Sequence, residues 1–249
     1  MMLTKFSGLL MLLAQAAAQD GFVNQLVQRF NEGGEFMWPV LICLILGLAI
    51  AFERIITLNR ADINTRQFLL DVKKALDEGG ISAAEEVCAN TRGPVASVFQ
   101  AGLLRADEGI DAVEKAVMSY GSIEMSFLER GLVWLSLFIS IAPMLGFTGT
   151  VIGMVEAFDA IEQAGDISPS LVAGGIKVAL LTTLFGLIVA IILQLFYNYA
   201  TSKIDRLVAE MEEASIELID SLVLMKAGRS IVSPEEEEGA PAEQPAAES

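Results

Sequence analysis

The chain has 249 residues, 53% of them hydrophobic and only 19% charged, with a formal net charge of −16. Gathered in long runs, that balance excludes an ordinary soluble domain or a nucleic-acid binder and reads as a membrane protein. There is no histidine, which removes the commonest general base and zinc ligand, and the distant Cys43 and Cys88 suggest neither a disulfide framework nor a metal site.

Residues 1–18, "MMLTKFSGLLMLLAQAAA", have a lysine, a short apolar core and a small-residue end. That is the shape of a secretory signal cleaved near Ala18. Residues 19–35 place Phe22, Val23, Leu26, Val27 and Phe30 on one helical face, predicting a short interfacial helix. Three apolar runs follow, each long enough to span a bilayer. They are assigned to 36–58, 131–156 and 177–200. Trp38, Tyr197 and Tyr199 sit near their ends, where aromatic belts form.

The loop 59–130 reads as helical. "INTRQFLLDVKKALDEGG" is an amphipathic helix ending at Gly79-Gly80. Ser82 and Glu85 have the spacing of a capping box for the next helix. Pro94 opens a third. From about Gly109 the pattern predicts an uninterrupted helix running into the second span. After the third span, residues 201–232 continue as a helix. The tail 233–249 holds six acids and no base; its composition cannot bury a core and predicts disorder. The fold class is therefore an all-α membrane protein with three transmembrane helices, the second and third continuing as long helices, a helical loop domain and a disordered acidic tail.

Orientation follows from the basic residues. Thirteen of the sixteen lie in the 59–130 loop with its flanks or after the third span, and the 157–176 connection carries none before Lys177. The positive-inside rule puts the long loop and the C-terminus in the cytoplasm, the N-terminus and the 157–176 connection outside.

"APMLGFTGTVIGMVEAF", Ala142–Phe158, carries one proline, three glycines and two threonines inside the second span. Small residues let helix backbones approach closely in lipid, where packing rather than water drives association. At about 100° per residue, Pro143, Gly146, Gly149, Thr150, Gly153 and Ala157 share one face, and Thr148 points away. In the third span Gly175, Ala179, Thr182, Thr183, Gly186 and Ala190 form a similar stripe. Both faces are expected to pack against another helix and, through it, to hold an oligomer together. The central turns of all three spans lack Asp, Glu, Lys and Arg. Proton relays need an ionisable group in the membrane, so a proton-conducting role requires another subunit to supply one. Glu156 and Asp159, at the outer end of the second span, are a candidate entrance. No nucleophile–base pair, phosphate loop or metal spacing is present, so neither an enzyme nor a cofactor is expected.

The second-span motif resembles the "AP-x-x-G-x-x-GTV-x-G-x-x-x-x-F" signature of the ExbB/TolQ/MotA proton-channel family. "WP" entering the first span, "ERI" leaving it, "AAEEVCANTRGPVASVFQAGL" in the loop and "GIKVALLTTLFGLIVAI" in the third span are also similar to ExbB and TolQ. The resemblance implies a homopentamer in the bacterial inner membrane. Its second and third spans would line a pore around single-span ExbD-like helices that supply an intramembrane aspartate, with a TonB-like transducer as a further partner. It places Thr150 and Thr183, with Thr182 beside them, on the proton pathway. ExbB proteins usually carry a glutamate where this chain has Val178, next to Lys177. An ExbB-like role in TonB-dependent transport is expected, with a TolQ-like envelope motor or a non-conducting scaffold as alternatives.

Overall fold

The computed structural model describes residues 20–165 and 169–227; the signal-like 1–18, the acidic 233–249 and residues 166–168 of the outer connection lie outside them. The described residues form seven α-helices: α1 Asp20–Glu32, α2 Met37–Ala61, α3 Thr65–Asn90, α4 Pro94–Leu103, α5 Ile110–Leu128, α6 Leu132–Ala164 and α7 Pro169–Lys226. No strand occurs among them. Three helical segments are long and apolar enough to cross a membrane, and they contain α2, α6 and α7. This is an all-α membrane protein with three spans. At about 1.5 Å per residue, the 58 residues of α7 extend well beyond a hydrocarbon layer about 30 Å thick.

Local chemistry sets the helix boundaries. Asn64 caps α3 by accepting a hydrogen bond from the Gln67 amide at 3.3 Å. Within α3, Gly80 has φ 69° and ψ −158°, which breaks it into two helical segments. Open space surrounds the position a Cβ would take at Gly80, so glycine serves the backbone there and not close packing. Pro94 opens α4, where its missing N–H costs no helical bond. The expected continuous helix from Gly109 into the second span is not formed. The chain turns between α5 and α6, and Gly131 has φ +93°. A Cβ there would also lie 3.1 Å from Arg54 Nε. Left-handed backbone and a packed guanidinium together require glycine.

The described residues divide into two compact units. The first comprises those up to Ala51 and Trp134–Tyr197; the second comprises Phe52–Val133 and those from Asn198 onward. In the first unit Val40, Cys43, Leu135, Ala142, Val189 and Leu193 form a buried cluster. Leu193 is so close to α2 that a Cβ on Gly47 would lie 2.5 Å from its Cδ1. In the second unit the core is built from large side chains. Phe99 is fully buried and packs on Phe68 with ring centroids 5.3 Å apart; Leu103, Val113, Leu207 and Leu218 are buried in the same unit. Asp62 bonds to Lys203 and to Arg206 at 2.6 Å. The Lys203 ammonium, with Arg206 behind it, holds the Asp62 carboxyl below the usual carboxylate range against the opposing effect of burial. Burial pushes the Cys88 thiol up to about 12, too high for a reactive thiolate.

Candidate functional site

The small residues of α6 and α7 pack on each other within one chain. A Cβ on Gly146 would lie 2.8 Å from the Thr182 carbonyl oxygen and 3.0 Å from Thr183 Cα. One on Gly186 would lie 2.6 Å from the Ala142 carbonyl oxygen, and one on Gly175 would lie 2.5 Å from Ala157 Cβ. Gly149 faces Thr182, whose Oγ1 would be 2.7 Å from an added Cβ, and Gly153 faces Gly175 and Ala179. The two backbones are in contact along about four turns, a spacing that small residues permit. Pro143 lies half-buried in α6, beside this seam. The glycines expected to hold subunits together are therefore already occupied inside the subunit.

Three hydroxyls collect in this seam around two carbonyls. Thr150 Oγ1 lies 3.3 Å from the Gly146 oxygen and 3.1 Å from the Ala179 oxygen. Thr183 Oγ1 lies 3.1 Å from the Gly146 oxygen and 3.4 Å from the Ala179 oxygen. Thr182 Oγ1 donates to the Ala179 oxygen at 2.9 Å and reaches that of Gly146 at 3.3 Å. Thr150 and Thr183 are also hydrogen-bonded to each other. The arrangement is reciprocal: each helix offers a threonine and the carbonyl four residues before it. Each carbonyl already accepts one helical amide bond, so three hydroxyl protons meet two remaining carbonyl lone pairs. The Thr150–Thr183 bond takes the third proton. Rotating two O–H groups reverses that bond, so either hydroxyl can turn a proton or a lone pair outward.

The three threonines differ in access. Thr182 is 0% exposed and faces the neighbouring helix, whereas Thr150 and Thr183 are half-buried at the seam's edge. Thr148 is exposed and donates only to the Met144 carbonyl of its own helix at 2.8 Å. Glu156 and Asp159 are exposed but sit about 120° and 180° round α6 from Thr150, so the structure does not bring them to the hydroxyls. In the third turn of α7, Lys177 pairs with Glu32 of α1 at 2.9 Å. That hydrogen bond keeps the Glu32 acid below its ordinary range. Val178 faces the turn after α1: its Cγ1 lies 3.3 Å from where Gly34 would carry a Cβ.

Sequence reasoning found the threonines but missed the carbonyls of Gly146 and Ala179. The signal was available, since each lies one helical turn before a threonine on the same face. Among the described residues no group of three or more His, Cys, Asp or Glu side chains could hold a metal ion.

The MotA/TolQ/ExbB proton channel family matches residues 90–213, a stretch that contains all three threonines. The chain is 34% identical over 192 residues to a putative biopolymer transport protein ExbB homolog of Methanothermobacter thermautotrophicus, covering 77% of this chain and 68% of that protein. It is 26% identical over 226 residues to the biopolymer transport protein ExbB of Xanthomonas campestris, covering 82% and 89%. It is also 34% identical over 82 residues to the Tol-Pal system protein TolQ of Haemophilus influenzae, covering 33% and 36%. With its threonine-bearing helix pair and its long match to ExbB proteins, the chain belongs to the MotA/TolQ/ExbB proton channel family.

Proposed function

We propose that this chain is the ExbB-like subunit of an inner-membrane channel that couples the proton-motive force to TonB-dependent transport across the outer membrane. In this reading its N-terminus is periplasmic and its C-terminus cytoplasmic, as its basic residues favour. Five copies surround single-span ExbD-like subunits, and a TonB-like protein takes up the motion. The observation that carries the reading is the reciprocal hydroxyl cluster of Thr150 and Thr183, half-exposed in spans that hold no ionisable group in their central turns. An aspartate from a partner helix is costly to ionise in an apolar pore. Hydroxyls at its level accept a bond from the protonated acid and donate one to the carboxylate, so both states are accommodated. Thr182 anchors the pair. A TolQ-like motor is the second reading, favoured by the TolQ match over 82 residues.

The test is proton flux in vesicles holding this chain and its single-span partner. Valine matches threonine in size and lacks the hydroxyl. The Thr150→Val, Thr183→Val double variant should keep expression and assembly and lose flux, while Thr148→Val stays near wild type. Wild-type flux in the double variant would leave these residues as packing alone and favour a non-conducting scaffold. Loss of outer-membrane uptake without an envelope defect would separate the ExbB-like role from the TolQ-like one.

A further inference from the structure

The seam between α6 and α7 is chemically unequal on its two sides of the threonine cluster. The helices are antiparallel, with Gly146 at the level of Thr182 and Thr183, and Ala142 at that of Gly186. Leu135 and Leu193 share the same buried cluster. This register carries Ser140 to about the level of Ile188, and Ser136 to that of Ile192, two residues before Gln194. At about 100° per residue, Ser136 and Ser140 fall within about 80° of Thr150 on α6, and Gln194 within about 20° of Thr183 on α7. All three side chains are exposed. Going the other way, the same faces carry Met154, Phe158 and Ile161 on α6 and Ile176 and Leu180 on α7. Those five are apolar, with Phe158 and Leu180 more than 60% exposed.

A backbone acceptor joins the polar half. Pro143 lies inside α6 and has no N–H, so the Ile139 carbonyl loses its helical donor. Within a bilayer such a group must find a partner in protein or in a water-lined cavity. Ile139 lies about 20° from Thr150 round the helix. Ser140 donates its proton to the Ser136 carbonyl at 3.0 Å, which leaves its oxygen to act as an acceptor. Between this group and the threonines stand Ala142, Pro143, Gly146, Gly186 and Ala190, all small; Ala142, Gly146 and Gly186 are closed by the helix contact, and Pro143 and Ala190 are half-buried at its edge.

We propose that the half of the seam towards Leu132, marked by Ser136, Ile139, Ser140 and Gln194, is a hydrated passage carrying protons between the threonine cluster and the cytoplasm. The opposite half is dry. The proposal rests on the channel reading and orientation above. In each transfer one O–H bond forms on the receiving water as another breaks on the donor, and a proton entering at the threonines is matched by one leaving at the end. The dry half forces exchange with the outside to use groups that this chain's seam does not supply.

The test is aqueous thiol labelling in membrane vesicles carrying the full chain. Cysteine is introduced one site at a time: Ser136→Cys, Ser140→Cys and Gln194→Cys in the polar half, Met154→Cys, Ile176→Cys and Leu180→Cys in the apolar half. The unsubstituted chain sets the background, since Cys43 and Cys88 are both buried. Only the thiolate reacts, and each unit of pKa rise on leaving water lowers its population about tenfold. An impermeant methanethiosulfonate reagent should therefore label the polar-half cysteines at least about tenfold faster than the apolar-half ones, and only in inverted vesicles. Polar-half cysteines that stay unlabelled, or apolar-half cysteines that react as fast, would overturn the proposal. As a second measurement, Gln194→Leu should cut proton flux several-fold while Leu180→Val leaves it unchanged; equal flux in both would also overturn it. Labelling does not depend on flux, so wild-type flux in the Thr150→Val, Thr183→Val variant would reject the threonine reading and leave the labelling result to judge the passage.

Discussion

The two units of this molecule solve the packing problem with opposite materials. Along the α6/α7 seam of the first unit, the close contacts involve Ala142, Gly146, Gly149, Gly153, Gly175 and Gly186, and the polar contacts across it are threonine hydroxyls on carbonyls. In the other unit the buried volume is Phe68, Phe99, Leu76, Leu103, Leu207 and Leu218, and the polar contacts are charged pairs. The solvent explains the contrast. Water rewards removal of large apolar area at about 25 cal/mol per Å². Lipid offers no such reward, so helices gain from backbone approach and from hydrogen bonds that have no aqueous competitor. A leucine that stabilises the second unit would wedge the seam of the first apart.

The sharpest way to break the comparison is to exchange the materials. Gly146→Leu puts side-chain carbon where the Thr182 carbonyl and the Thr183 backbone already stand, at 2.8 and 3.0 Å. Neither can yield without moving α7, so the seam should open, the Thr150–Thr183 bond should be lost, and the chain should stop yielding a folded particle in mild detergent. A particle of unchanged stability would show that the helices are not in backbone contact. The converse in the other unit is Phe99→Ala. Phe99 is fully buried, and such truncations cost about 3–5 kcal/mol. Denaturant unfolding followed by a probe in residues 94–128 should show that loss, while proton flux under non-denaturing conditions changes little. A loss below about 1 kcal/mol would mean that the site collapses freely.

How much of this was legible in the sequence divides along the same line. The three spans stood out because length and hydropathy are what lipid selects. The small-residue stripes and the positions of Thr150 and Thr183 were legible from helical periodicity. A stripe does not name its partner, however, and reading Gly149 and Gly153 as subunit contacts missed that α7 already fills that face. The turn at Gly131 was also missed, because a lone glycine in a helical pattern usually costs only about 1 kcal/mol and is tolerated. What demands it is Arg54, 77 positions earlier, which no local pattern reveals. Glu156 and Asp159 stand at the outer end of the second span, and the helix turns them away from the hydroxyls, so periodicity alone does not link them to Thr150.

A smaller change sharpens the comparison on the hydrogen-bond side. Thr182 is wholly enclosed and its hydroxyl bonds the Ala179 carbonyl. Thr182→Val keeps the shape and removes the bond. Hydrogen bonds between membrane helices average about 0.6 kcal/mol, so unfolding in mixed micelles should shift by about that amount, with flux retained. A shift beyond about 2 kcal/mol would mean that the three-hydroxyl cluster acts as one unit, so that removing Thr182 also misplaces Thr150 and Thr183.

The smallest expected effect lies on the charged side of the comparison, at Asp62. Lys203 and Arg206 hold its carboxyl below the ordinary range, and its side chain is 27% exposed. An ion pair open to solvent contributes at most about 1 kcal/mol and is screened by salt. The sign follows from the lowered value. The folded state binds this proton less readily than the unfolded chain, so the contribution is complete above the ordinary aspartate value of about 3.9 and fades as pH falls through the lower folded value. Asp62→Asn should therefore lower stability at neutral pH by up to about 1 kcal/mol. The gap between variant and wild type should close below about pH 4 and shrink in high salt. Thr182→Val, whose bond carries no net charge, should show a gap independent of both pH and salt. If the Asp62→Asn gap persisted unchanged at low pH, the pair would be contributing through shape rather than charge, and the division between a unit tied by ions and a seam tied by hydroxyls would fail at this point.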